Sequence, residues 1–158
     1  MEQLIYHSPI GPLAIYSSEE AIVEIRFDGH LESEKSSSII EQCVQQLDEY
    51  FEGKRENFEL KLNPTGTDFQ LRVWKELQNI PFGKTCSYSE MAIKLGDIKV
   101  IRAAGTANGK NKIPIIIPCH RVIGKDGSLV GFGGGLDRKE WLLQHEGILK
   151  GEQMKIFG

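Results

Sequence analysis

The densest group of reactive side chains in this 158-residue chain is the run Cys119-His120-Arg121. A thiol is a good nucleophile only as the thiolate, and a neighbouring base or positive charge favours that form. The run therefore indicates a nucleophilic cysteine with its own base and cation. In an extended strand, adjacent side chains point to opposite faces, so contact between Cys119 and His120 would need a turn at Pro118 or a bridging water.

His120 also needs an acceptor that orients its ring, and Glu146 is a good candidate. A carboxylate in the last turn of a helix is disfavoured by about 0.3–1 kcal/mol, because the helix dipole is negative there. A cationic or donor partner would relieve that cost. The adjacency of Cys119 and His120 alone leaves a purely structural cysteine open.

Two other cysteine chemistries are excluded by motif. Zinc deaminases combine an H-x-E motif with P-C-x-x-C, whereas Val122 occupies the second cysteine position here. The local signature around a papain-type cysteine is absent too.

The element that must position Cys119 is the isoleucine run at residues 115–117. Branched apolar residues favour a buried strand. Pro114 and Pro118 flank the run, and proline has no amide to offer a sheet. The pattern therefore predicts a short core strand that ends at Pro118 and presents Cys119 at its end.

Composition indicates an ordinary globular protein, with 40% hydrophobic and 26% charged residues. No apolar run reaches the roughly 18 residues of a membrane span, and the N-terminus lacks the pattern of a signal peptide. The three cysteines are widely spaced, with no pair placed as metal ligands. We therefore expect reduced thiols, a cytoplasmic location, no membrane partner and no metal.

Charge is distributed unevenly along the chain. Residues 1–63 hold 5 Lys and Arg against 13 Asp and Glu, a net charge of -8, whereas residues 64–158 hold 14 against 9, a net charge of +5. The basic part suggests an anionic partner for that part alone. Attraction between two oppositely charged lobes explains the charges equally well.

The first lobe, residues 1–63, reads as a small sheet followed by a helix. Strands are predicted at residues 4–6, 13–16 and 22–27, a helix at 37–53, and a half-buried strand at 58–62. Cys43 lies on the apolar face of the helix and is expected to be plain core. The turn at residues 63–66 marks the predicted lobe boundary.

The second lobe, residues 64–158, is predicted to be mainly helical. Capping boxes at Thr67/Gln70 and Ser87/Glu90 begin two helices, and Asp97 can cap a third over residues 98–108. The pair over residues 87–108 has the outline of a helix-turn-helix, although two packed core helices would give the same pattern. A last helix is expected at 138–146, capped by Asp137, before a loose tail at 148–158.

The sequence Pro118-Cys119-His120-Arg121-Val122 resembles the active-site motif of the O6-alkylguanine-DNA alkyltransferases. The likeness continues through Ala107-Asn108-Gly109 and through residues 139–147, and it covers about residues 64–147. It implies an α/β (α+β) fold, with a small ribonuclease H-like sheet-plus-helix lobe followed by a mainly helical lobe that contains a helix-turn-helix.

The resemblance implies a suicide DNA-repair protein, a methylated-DNA–protein-cysteine S-methyltransferase that acts once. Cys119 would accept the alkyl group irreversibly, His120 would take the thiol proton through a water, and Glu146 would hold the imidazole. Asn111 would brace the turn beside Cys119, and Tyr88 would donate its hydroxyl to the flipped guanine. No cofactor is expected, because the lesion itself is the alkyl donor.

The partner implied by the resemblance is duplex DNA that contains O6-alkylguanine, bound through the minor groove by a monomer. Arg102 would fill the stack left by the flipped nucleotide. The expected DNA-binding residues are Arg102, Ala103, Ala104, Tyr88 and Ser87. The expected substrate-pocket residues are Val122, Phe132, Gly133 and Gly134.

Two functions of other classes remain as alternatives, namely a lesion-binding sensor that recruits another repair pathway and a general thiol hydrolase. The sensors of the family carry tryptophan in place of the reactive cysteine, so Cys119 argues against the first. Lys112 replaces a proline common in relatives, and Phe132 replaces the tyrosine of some. The second change could alter the tolerance for bulky alkyl groups.

Overall fold

The computed structural model describes residues 1–129, 131–148 and 155–156 of the chain. The chain divides into two units, Met1–Thr65 and Gly66–Gly158. In the described residues, no helix has the length and apolar character needed to cross a membrane.

The N-terminal unit is built on an antiparallel sheet of three strands in chain order. These strands are β1 (Glu2–Ser8), β2 (Gly11–Ser18) and β3 (Ala21–Phe27). The central strand contributes fully buried residues such as Leu13 and Ile15. The three predicted strands are confirmed and are slightly longer than expected.

Helix α1 (Ser38–Phe51) follows the sheet. The side chain of Ser37 caps it by accepting a hydrogen bond from the amide of Ile40. Its apolar face, which includes Cys43, is buried, and Gly53 follows it with a positive φ of 78°. This helix is as predicted.

The predicted strand at residues 58–62 is wrong. Only Leu62 pairs with the sheet, through an isolated parallel bridge to Ile22. The backbone of Glu59 is instead bound by the side chain of Gln46, with an amide-to-Oε1 distance of 2.8 Å and an Nε2-to-carbonyl distance of 3.1 Å. A side chain on α1 has replaced the strand partner.

The described part of the C-terminal unit holds four further α-helices. They are α2 (Asp68–Leu77), α3 (Tyr88–Lys94), α4 (Ile101–Gly109) and α5 (Leu136–His145). Both predicted capping boxes are present, Thr67 with Gln70 and Ser87 with Glu90. Helix α4 packs against α2 and α3.

The predicted helix at residues 98–108 is present in two pieces. Asp97 caps a 3-10 turn, Ile98–Val100, through the amide of Lys99, and α4 begins directly after it. Helices α3 and α4 with this short connection give the helix-turn-helix outline.

The strand predicted at residues 115–117 is wrong, although the burial of its isoleucines is right. The segment is a tight turn in which the amide of Ile117 bonds the carbonyl of Ile113 at 2.9 Å. Ile115 has a positive φ of 74°. The turn is stabilised by Asn111, whose side chain accepts from the amide of Ile113 at 3.0 Å and donates to the carbonyl of Ile117 at 2.7 Å.

Among the described residues of this unit there are also two short parallel strand pairs. Strand β4 (Cys86–Ser87) pairs with β5 (Val122–Ile123), and β6 (Ser128–Leu129) pairs with β7 (Lys155–Ile156). The predicted loose tail is therefore wrong at residues 155–156, while its residues 149–154 and 157–158 lie outside the described residues.

Helix α5 begins earlier than predicted, at Leu136, and Gly135 is its N-cap with a positive φ of 91°. Asp137 lies inside the first turn, so its predicted role as a cap is wrong. Glu146 follows the last helical residue, and Gly147 ends the segment with a positive φ of 77°.

Candidate active site

Cys119 lies at the start of a 3-10 turn, Cys119–Arg121, that follows Pro118 directly. Its amide donates to the carbonyl of Ile117 at 2.8 Å, and the amide of Arg121 closes the turn on the carbonyl of Pro118 at 3.0 Å. In such a turn, successive side chains are rotated by about 120°, not by the half-turn of a strand. The turn therefore removes the opposite-face constraint expected for an extended chain.

His120 is fully buried and bound to Glu146, with a distance of 2.6 Å between Nε2 and Oε2. Because an ionised carboxylate only accepts hydrogen bonds, Nε2 carries the proton and Nδ1 keeps the lone pair. Nδ1 has no hydrogen-bond partner among the residues that the structure describes. The imidazole is therefore a base whose accepting nitrogen is not engaged by the described residues.

The electrostatics keep this pair as a carboxylate and a neutral imidazole. Burial lowers the pKa of His120, and the hydrogen bond and charge of Glu146 only partly oppose it. Burial raises the pKa of Glu146, but the hydrogen bonds and charges of His120 and Arg121 outweigh burial and lower this pKa to about 2. At neutral pH, Glu146 is ionised and His120 can accept a proton.

Arg121 is the third member of this buried group. Its Nε donates to Oε1 of Glu146 at 2.7 Å, and Nη1 donates to the carbonyl of Ile80 at 2.6 Å. We expected Arg121 as a candidate cation for the thiol, and its guanidinium is instead bound to Glu146.

Cys119 is 4% exposed. Burial raises the pKa of its thiol to about 11, while a hydrogen bond from Asn111 and the charge of Lys139 oppose the rise. The resting group is thus a thiol, surrounded by polar groups that favour its deprotonated form.

Lys139 was missed by sequence reasoning. It is fully buried on α5, and its Nζ donates to the carbonyl of Val122 at 2.6 Å and to that of Gly131 at 3.3 Å. Burial lowers its pKa to about 8, although the negative charge of a Cys119 thiolate would raise it. A signal was present, because Lys139 lies at helical spacing between Leu136 and Leu142 on the apolar side of the helix.

Asn111, expected to brace the Cys119 loop, lies in the turn before Cys119. Its amide bonds both ends of the isoleucine turn, and its side chain also acts to lower the pKa of the Cys119 thiol, opposing the effect of burial. This single side chain thus connects the geometry of the loop to the nucleophile.

A cavity of about 280 Å³ opens beside Tyr88. Its lining consists of small, aromatic and amide residues: Tyr88, Gly105, Asn108, Gly109, Gly131, Phe132 and Gly133. Burial raises the pKa of Tyr88, the charge of Cys119 adds to the rise, and a hydrogen bond from Asn108 opposes it. Cys119 and Asn108 both act on the pKa of the Tyr88 hydroxyl, in opposite directions. Tyr88 is therefore electrostatically coupled to the Cys119 thiol.

Asn108 was also missed as a site residue. It is 3% exposed, and its Nδ2 lies 3.4 Å from the carbonyl oxygen of Cys119. Its sequence signal was weak, because the amide stands at the end of a helix whose other residues suggested only close packing.

The four expected pocket residues lie in different places. Phe132 and Gly133 line the cavity. Val122 is fully buried, with its carbonyl bound by Lys139. Gly134 lines a separate depression at the start of α5.

The expected DNA-binding residues separate by exposure. Arg102 and Ala103 are exposed on α4, and Tyr88 is half-buried at the start of α3. Ala104 is 1% exposed and packs into the core of the unit, so its burial disfavours the expected contact between its side chain and DNA. Ser87 is 8% exposed, and its hydroxyl is engaged in capping α3.

Two family models match this chain. The DNA-binding domain of 6-O-methylguanine DNA methyltransferase matches residues 68–148, and the ribonuclease-like domain of the same family matches residues 3–64. The chain belongs to the 6-O-methylguanine DNA methyltransferase family. The family resemblance, the α/β fold class and the enzyme class expected from the sequence are thereby confirmed.

Full-length relatives agree with this family. The chain is 47% identical to the methylated-DNA–protein-cysteine methyltransferase of Methanosarcina barkeri, covering 90% of this chain and 94% of the relative. It is 44% identical to the protein of the same name from Mycobacterium tuberculosis, with 88% of each chain covered.

Solved structures of the methyltransferase family match the fold. The Mycobacterium tuberculosis OGT solved in complex with DNA has a TM-score of 0.84 and 42% identity, with 93% of each chain covered. The O6-methylguanine methyltransferase of the same organism has a TM-score of 0.84 and 40% identity, with 96% of each chain covered. The family and the OGT–DNA complex support binding of DNA by this chain.

Proposed function

We propose that this protein repairs DNA by transferring the alkyl group of O6-alkylguanine irreversibly to Sγ of Cys119. The observation that carries the proposal is the hydrogen bond from the buried His120 to the ionised Glu146, which orients the imidazole and leaves its Nδ1 lone pair unengaged by the described residues. Such a pair one residue after a buried thiol is suited to remove the thiol proton at the moment of attack.

The transfer is one displacement step. His120 takes the thiol proton through a water, the sulfur of Cys119 forms a bond to the alkyl carbon, and the bond from that carbon to guanine O6 breaks. The bonding electrons leave with guanine, whose negative charge is stabilised by a hydrogen bond from the Tyr88 hydroxyl. Proton return from His120 leaves a neutral guanine and an S-alkylcysteine.

The raised pKa of Cys119 fits a reagent that acts once. With a pKa of about 11, the group is a thiol at neutral pH. It becomes a strong nucleophile only when His120 accepts its proton. Asn111 keeps the loop fixed while this happens.

DNA is bound by the helix-turn-helix in this proposal. Arg102 and Ala103 face the minor groove, and Arg102 fills the stack when the lesion is flipped into the cavity beside Tyr88. The carbonyls of Cys119 and Val122 read the guanine edge. A carbonyl has two lone pairs, so the bond from Lys139 to Val122 does not prevent this.

The protein acts as a monomer, because every group in this mechanism comes from a single chain. Phosphate contacts come from the basic C-terminal unit, and binding therefore weakens as salt rises.

The deciding experiment is the intact mass of the protein after incubation with duplex DNA containing one O6-methylguanine. We expect a gain of one methylene, found on the peptide that contains Cys119, and no gain with unmodified duplex. Cys119→Ala should still bind the lesion and gain nothing. An unchanged mass of the wild-type protein with retained binding would contradict transfer and favour a lesion sensor.

A further inference from the structure

Arg121 makes more specific contacts than a simple ion pair requires. Its Nε lies 2.7 Å from Oε1 of Glu146, and its Nη2 lies 3.2 Å from Oε2, so the guanidinium grips both carboxylate oxygens. The remaining nitrogen, Nη1, donates to the carbonyl of Ile80 at 2.6 Å. The guanidinium also lies 5.8 Å from the ring centre of Phe82.

The carboxylate of Glu146 is thereby fixed in orientation. Oε2 accepts from both Arg121 and His120, while Oε1 accepts from Arg121. A two-point grip defines the plane of a carboxylate, which a single point charge cannot do. The side chains of all three residues are at most 7% exposed, so water does not compete for these bonds.

We propose that Arg121 is a positioning residue for alkyl transfer: it orients Glu146 toward Nε2 of His120, and its charge keeps the imidazole neutral. The inference rests on the function proposed above and adds a residue that does not touch the substrate.

The charge argument follows from the groups that face His120. Glu146 favours the imidazolium, whereas burial and the charges of Arg121 and Lys139 disfavour it. Without Arg121, the buried carboxylate of Glu146 would face His120 with one opposing charge fewer, leaving burial and Lys139 to disfavour the imidazolium. The proton would then settle on the imidazole and block Nδ1. The same pair that serves as a base would become an imidazolium–carboxylate pair.

The alternative is that Arg121 serves stability alone. Both roles predict that its loss harms the protein, so a stability measurement does not separate them. Only the positioning role predicts a change in the protonation of His120 and a pH-dependent change in rate.

The test compares wild type with Arg121→Met, which keeps the apolar stem, and Arg121→Lys, which keeps the charge but loses the fork. Arg55→Met is the matched control, because Arg55 pairs with Glu49 in the N-terminal unit at an Nε-to-Oε1 distance of 2.9 Å. Single-turnover methyl transfer from O6-methylguanine duplex is measured between about pH 5.5 and about pH 8.5. Imidazole ¹⁵N shifts of His120 are followed in the same proteins without DNA.

For Arg121→Met we expect transfer at neutral pH to slow by roughly tenfold or more, with recovery as pH rises. The ¹⁵N shifts should show imidazolium at pH values where wild type is neutral. Arg121→Lys should keep the wild-type dependence of the transfer rate on pH at the acid end of the range. It should nevertheless react more slowly, because the carboxylate of Glu146 is no longer bound at two points. Arg55→Met should match wild type in both measurements.

The proposal is overturned if folded Arg121→Met keeps the wild-type His120 titration, or loses rate equally at every pH. If that variant does not fold, Arg121→Lys decides: a wild-type rate would overturn the positioning role. Failure of the proposed function is distinct, because wild type itself would then transfer nothing, while the ¹⁵N titration would still test the effect of Arg121 on His120.

Discussion

Cys43 and Cys119 are both buried thiols, one on α1 in the N-terminal unit and one in the C-terminal unit. Burial alone raises the pKa of Cys43 to about 12. Burial also raises the pKa of Cys119, to about 11, but there Asn111 and Lys139 oppose the rise. Depth of burial therefore does not distinguish a structural cysteine from a reactive one. The two are distinguished by the polar groups that act on the sulfur.

Exchanging sulfur for oxygen at each position sharpens this comparison most. Cys119→Ser should abolish transfer, because a serine hydroxyl is far less acidic and less nucleophilic than a thiol. Cys43→Ser should leave transfer intact but lower the free energy of unfolding by about 1–3 kcal/mol, because a hydroxyl is buried on an apolar helix face. Intact mass after lesion treatment and urea unfolding measure the two effects.

The matched control is alanine at both sites. Cys43→Ala should transfer normally and cost less stability than Cys43→Ser, because no polar group is buried. The comparison would break if a Cys43 variant lost transfer while remaining folded.

The next largest expected difference between the two units is the effect of low pH on their stability. The folded-state pKa of Glu146 is lowered from 4.5 to about 2, so its contribution is fully present above 4.5 and is lost as pH falls toward 2. The whole effect is on the order of 3 kcal/mol. The lowered pKa of His120 acts in the same direction, because the unfolded chain takes up its proton below 6.5.

Amide hydrogen exchange at falling pH measures this difference. Protection in the turn Cys119–Arg121 and in α5 should fall before protection in the sheet β1–β3. Earlier loss in the sheet would contradict the assignment of the acid-sensitive groups to the C-terminal unit.

Removing the cation beside Cys119 should have the smallest of these effects. Lys139→Met keeps the length of the side chain but removes the charge that favours the thiolate. Labelling of Cys119 by iodoacetamide in the folded protein should slow by roughly tenfold, equivalent to about 1.4 kcal/mol. Labelling of Cys43 should not change. Equal labelling of Cys119 in both proteins would show that Lys139 only supports the backbone.

Much of the fold was predictable because its signals are local. A cap such as Thr67 or Ser87 acts on an amide three residues away, so the sequence carries the whole interaction. The apolar spacing of α1 and the strand alternation of the N-terminal sheet are similarly self-contained.

The isoleucine segment was misassigned as a strand because the contacts that decide its conformation come from a polar side chain and not from the apolar pattern. Branched apolar residues favour a strand, but the side chain of Asn111 supplies the hydrogen bonds that a neighbouring strand would have supplied. In the N-terminal unit, the side chain of Gln46 likewise supplies the backbone of Glu59 with the hydrogen bonds that a neighbouring strand would have made. A pattern of apolar residues does not report which polar side chain will replace a strand.

The partners of the candidate site also depended on tertiary structure. The pairing of His120 with Glu146 was expected because each residue needed the other. Arg121 was assigned to the thiol because no pattern shows that a guanidinium turns away from its neighbour toward a carboxylate 25 residues further along the chain.

The left-handed backbone of Ile115 has a consequence for how activity is lost on heating. A β-branched residue at positive φ costs on the order of 1–3 kcal/mol, and it persists only while surrounding contacts enforce it. The burial of Ile115 and the Asn111 bonds provide that enforcement. The segment therefore keeps its strained conformation only while the surrounding interior stays packed. Mild warming that loosens the interior should release it and misalign the sulfur while the helices are still intact, so competence for transfer should disappear at a lower temperature than helical structure.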